Sequence, residues 1–213
     1  IFTIGATSCK IKHPSIAKEM IVVLEDSTAA ANLINADDED HFFTKITVID
    51  MAIQMHMSPP YGSRLEMIKL YRDFLNGQVL QPSAKDRVWI DSAFHHVKDG
   101  INKLNGNLFP PQISIVKIKP DHYGEGTFYT RGSTIFIPDH VFDEDFNNHI
   151  TVMYHEFWHV ISRNNPELKR KAYELIGFLP HNKKLIYSDS IGQFLLTNPD
   201  GVVDNYATNL NGE

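Results

Sequence analysis

Residues 155 to 159 read His155-Glu156-Phe157-Trp158-His159, an H-E-x-x-H run. On a helix, four residues advance the chain by about 400°, so the two imidazoles stand about 40° apart and one turn along. That is the spacing two nitrogens need to share a tetrahedral zinc ion at about 2.0–2.1 Å. Glu156 sits beside the first histidine and can reach the water on such a metal without ligating it, which is where a general base belongs. The flanking residues predict the helix: Ile150, Met153, Phe157 and Val160 fall on one face. That apolar stripe points away from His155 and His159, so neither histidine is needed to fill a core.

In this motif and its surroundings the sequence resembles the zincin metallopeptidases, over roughly residues 112 to 176. The runs from Gly126 to Gly132, His155 to Pro166 and Thr197 to Asp200 are also similar to a bacterial zincin-like group. The resemblance implies an α+β, zincin-like fold, mainly helical, with a small mixed sheet whose edge strand flanks the active-site helix. It also implies a Zn2+ cofactor and hydrolysis of a peptide or protein substrate, with Glu156 as catalytic base. In zincins the edge strand binds substrate backbone in extended form, and Ser133 to Ile137 is the expected strand here.

Two histidines leave the metal short of a third protein ligand. The metzincin continuation is excluded, because Ser162 and Asn165 stand where that class has Gly and His. The gluzincin pattern takes a Glu from a following helix, and folding the chain back at Asn164-Asn165 brings Glu174 roughly opposite His155. The interval from His159 to Glu174 is shorter than gluzincins use. Asp200, in an Asn-Pro-Asp-Gly turn, is the alternative third ligand, with Glu167, His181, Asp189 and Asp204 as remaining candidates. Tyr206, Tyr187 and His181 are the side chains that a loop-rich tail can offer to a developing oxyanion. Arg163 is expected to pair with Glu167 at i+4. His95 and His96 are adjacent on a helix and diverge. The other histidines (His13, His41, His56, His122, His140 and His149) have no partner at ligand spacing and read as structural.

The elements that must position this motif follow from periodicity and caps. Ser15 can cap a helix carrying Ile16, Met20, Val23 and Leu24 on one face. The acidic run Asp37 to Asp40 suits the start of a helix from Phe42 to Met55. Ser63 starts the next helix, which ends near Asn76-Gly77, and Ser83 with Asp86 starts another that runs to Asn105. Strands are expected at Ile113 to Ile118, Thr127 to Thr130 and Ser133 to Ile137. The helical period returns at Asp143 and breaks at Asn164-Asn165-Pro166, and another helix runs from Glu167 to Ile176. This reads as an N-terminal helical portion, 1–110, and a zincin-like catalytic portion, 111–213, either separate or joined as one continuous domain.

Composition limits the partners. The chain has 213 residues and a formal net charge of −6, which argues against nucleic acid as the main partner. A single cysteine, Cys9, excludes an internal disulfide framework and a cysteine-rich zinc site. No apolar run approaches the length of a membrane span. The first residue is Ile1 rather than Met, a lean toward a processed, extracytoplasmic or secreted chain. A competing reading is a non-catalytic or toxin-like zincin-fold binding domain whose metal site is structural or vestigial.

Overall fold

The computed structural model describes residues 20–105, 108–119, 122–180, 186–201 and 205–207. Strand β1 (Ile21–Leu24) leads into α1 (Ser27–Asn35), α2 (Phe42–Lys45), α3 (Val48–Gln54), α4 (Arg64–Asn76) and α5 (Ala84–Asn105). Strands β2 (Gln112–Ile118), β3 (Tyr129–Arg131) and β4 (Thr134–Pro138) follow, and two short 3-10 turns lead into α6 (Ile150–Asn164) and α7 (Pro166–Leu175). The described tail holds β5 (Phe178–Pro180), α8 (Asp189–Gly192) and β6 (Asn205–Ala207).

The main sheet is mixed, in the order β1-β2-β4-β3. β2 runs parallel to both β1 and β4, and β3 folds back antiparallel to β4. Alternate residues of β2 and β4 serve opposite faces. Ile113, Ile115, Ile135 and Ile137 join Trp89, Val97, Phe157 and Val160 in a core under α5 and α6. Val116, Ile118 and Phe136 join Ile34, Phe43, Met51, Met67 and Tyr71 in a second core under α1–α4. A sheet covered on both faces explains why Ile135-Phe136-Ile137 reads as an unbroken apolar run. The molecule is therefore α+β, with a small mixed sheet between helical layers. The sheet and both cores draw residues from either side of residue 110.

Several expected boundaries shift. Residues 21–24 are a strand, not the end of a helix, because the β-branched run Ile21-Val22-Val23 pairs with β2 some ninety residues later; Ser15 and Ile16 lie outside the described residues. The helix expected from Phe42 to Met55 is two helices. Thr47 interrupts it, accepting the Asp50 N–H at 3.0 Å as the N-cap of α3. The acidic run does serve a helix start: Asp40 and Asp37 accept the N–H groups of Phe42 and Phe43. Asp40 also makes a fork with the buried Arg131 at 2.7 and 3.0 Å. The α6 helix begins at Ile150 rather than Asp143, after the two 3-10 turns. The strand expected at the sheet edge, β4, lies inside the sheet between β2 and β3, and the edges are β1 and β3. Pro138 closes β4 at its last paired position, where a missing N–H is tolerated even in an interior strand.

Candidate metal centre

The α6 helix packs against β3 and β4. Met153, Phe157, Val160 and Ile161 are buried, and the opposite side carries the exposed His155 and the half-buried His159. One turn apart, these histidines meet: their Nε2 atoms lie 2.9 Å from each other, with the rings nearly perpendicular. Two nitrogens on one tetrahedral zinc would stand about 3.3 Å apart, so the pair already converges on a common point.

Glu156, Asp200 and His159 bring one potential ligand atom each to within 4.8 Å of one another. Glu156 is only 2 % exposed, and its Oε2 has no hydrogen-bond partner among the described residues. Burial pushes the Glu156 carboxyl up, the Asp200 charge pushes it further, and Arg163 offsets this only in part, leaving the group at about 8. Burial lowers His159. Asp200 opposes that shift, while His155 and Arg163 reinforce it, favouring the neutral imidazole that ligates metals.

Asp200 arrives from a loop rather than from a helix. The β3 Thr130 N–H donates to its Oδ1 at 2.5 Å and the Thr130 hydroxyl at 3.3 Å. Oδ2 has no hydrogen bond among the described residues. The turn is shaped locally by the Asp200 N–H donating to Asn198 Oδ1 at 2.9 Å. Arg163 completes the clamp, donating to the carbonyls of Gly132 at 3.0 Å, Thr130 at 3.1 Å and Asp200. Arg163 thus does not pair with Glu167, which instead holds Arg170 and Lys171. Three backbone carbonyls within reach outcompete an exposed i+4 carboxylate, because the donors of a half-buried guanidinium need partners.

This arrangement closes the outer edge of β3. Thr130 faces outward, and Asp200 and Arg163 take its N–H and its C=O. The expected strand addition of substrate at Ser133 to Ile137 therefore finds no open edge there: β4 is interior, and β3, the edge strand beside it, is capped at Thr130. Instead, a cleft of about 590 Å³ opens beside His159 and Asp200, walled in part by Lys169, Tyr173, Ile176 and Phe178.

The other candidates fall elsewhere. Glu174 is on the exposed face of α7, paired with Arg170 at 2.5 Å, and is not part of the group around His159. The i, i+4 partner on its own helix claims it. Asp189 and Tyr187 are exposed on the tail. His181 and Asp204 lie outside the described residues, and so does the Tyr206 side chain. The Arg163 clamp was not expected from the sequence. Its signal was its position, one turn past His159 on the same stripe as both histidines.

The atoms gathered within reach of one another are a nitrogen of His159 and one carboxylate oxygen each from Glu156 and Asp200; His155 meets His159 but is not part of that group. Such a mixed nitrogen and oxygen donor set fits a divalent metal. Among the described residues no helix is long and apolar enough to cross a membrane. Comparison with protein-family models, curated proteins and solved structures found no match.

Proposed function

We propose that the chain is a zinc-dependent metallopeptidase whose zinc is held by His155, His159 and Asp200. The observation that carries this reading is the pair of Nε2 atoms 2.9 Å apart on α6, with the Asp200 carboxylate and Glu156 gathered at His159. A zinc ion held there supplies a Lewis acid that makes water nucleophilic at neutral pH. A cation beside Glu156 would favour its ionised form, and the carboxylate, next to the first histidine, would then take the proton of the attacking water and pass it to the leaving amine. Thr130 keeps one Asp200 oxygen occupied, so the carboxylate presents the other. The helix and the loop converge from opposite sides, and substrate reaches them through the cleft bounded by Tyr173, Ile176 and Phe178 rather than by extending the sheet.

The capped edge of β3 favours one other reading, a non-catalytic or toxin-like binding domain with a structural or vestigial metal. Incubating the zinc-loaded chain with a mixed peptide pool, with products read by mass spectrometry, separates the two. The peptidase reading expects cleavage that falls by about 10²–10⁴-fold in Glu156→Gln while zinc is retained. A zinc-loaded wild-type chain that cleaves nothing would support the binding domain.

A further inference from the structure

We infer that Asp50, on the helical layer of the opposite core, is a positioning residue for the metal centre: it holds the loop that carries Asp200. The inference rests on the metal reading above. Asp50 lies in the first turn of α3 and is only 3 % exposed. Among the described residues it forms no ion pair. Burying an unpaired carboxylate is costly, so its hydrogen bonds must justify its place.

Both oxygens are used. Oδ1 accepts from Gln54 Nε2 at 2.9 Å, and Gln54 Oε1 in turn accepts from the Tyr71 hydroxyl at 2.5 Å, all three side chains being buried. This fixes the carboxylate from within its own layer. Oδ2 points the other way and accepts the Thr197 N–H at 2.7 Å, across 147 residues of sequence. Thr47, the cap of the same helix, adds a second tie by donating to the Leu195 carbonyl at 3.2 Å.

The loop is thus pinned at both ends. Asp50 and Thr47 hold Leu195 and Thr197, while Thr130 and Arg163 hold Asp200. Three residues of chain span at most about 10 Å, so a displaced Thr197 displaces Asp200. Ligand sites tolerate errors of only about 0.5 Å. A charged acceptor makes a shorter, stronger bond to a backbone N–H than a neutral one, which gives a reason for Asp at this position. On this account the α1–α4 layer completes the metal site from a distance, besides packing on the sheet.

The test is zinc affinity, measured by competition with a chelator on the full chain. Asp50→Ala should weaken zinc binding by about 10–100-fold, as loss of outer partners of metal ligands does. Asp50→Asn keeps an acceptor oxygen in place and should recover most of that affinity. Thr197→Pro deletes the donated N–H without touching the buried network, so it should weaken zinc comparably and add little to Asp50→Ala. Asp50→Ala that folds, melts lower and binds zinc as the wild type does would overturn the inference, leaving Asp50 a helix-start residue only. If Asp50→Ala does not fold, wild-type affinity in Thr197→Pro overturns it equally. Failure of the metal reading looks different: there the wild-type chain itself binds no zinc.

Discussion

The two halves of the candidate centre are built by opposite means. On α6, three chemical groups sit within five consecutive residues, and helix geometry alone sets their spacing. Across from it, Asp200 comes from a loop 41 residues beyond His159 and is placed by hydrogen bonds from Thr130, Arg163 and its own turn. The helical half is rigid because its apolar face is buried under the sheet. The loop half owes its position to a few polar contacts, so substitutions there should shift affinity and stability without destroying the fold.

The largest effect should separate the two third-ligand candidates. Asp200→Ala should weaken zinc by more than about 100-fold, beyond what an outer partner costs, whereas Glu174→Ala should leave it unchanged; a chelator titration reads both. The reverse pattern would move the third ligand to α7 and leave Asp200 as a turn residue.

Next in size is the clamp. Arg163→Met removes donors from three carbonyls and should cost about 1.5–3 kcal/mol in urea unfolding of the metal-free chain. It should also weaken zinc, because Asp200 loses a backbone tie. Unchanged stability would mean that the loop is not held by Arg163.

The smallest effect is on pH dependence. Burial pushes Asp40 up, but the Arg131 hydrogen bonds and charge outweigh it, with help from the Phe42 N–H, and hold the carboxyl below its usual value. A depressed carboxyl stabilises the fold above its unfolded pKa of about 4 and loses that contribution as pH falls through the lower folded value. Melting temperature should therefore drop more steeply below about pH 4 in wild type than in Asp40→Asn. Parallel curves would remove the pair from the account of acid stability.

The same contrast explains what could be read in advance. The α6 motif was legible because its information is local: period, apolar stripe and ligand spacing lie within fifteen residues. Ser63 as the start of α4 and the Ser83–Asp86 pair at the start of α5 were legible for the same reason. Residues 21–24 were misread because their short apolar run also fits a helical period, and what makes them a strand is pairing with Gln112 to Ile115. The Ser133 to Ile137 strand was placed at the edge because nothing local states that β2 will pair on one side and β3 on the other. The sequence ranked Glu174 above Asp200, since helix folding is easier to project than a loop clipped by Asp50, Thr130 and Arg163. Such contacts join positions up to 147 residues apart and leave no periodic trace.

Zinc content per chain, by elemental analysis of the wild type and of His155→Ala, tests the central claim most directly. The account predicts close to one zinc per wild-type chain and none in the variant. Absence of zinc from both after zinc is supplied, or equal zinc in both, would contradict a metal shared by the two histidines of α6.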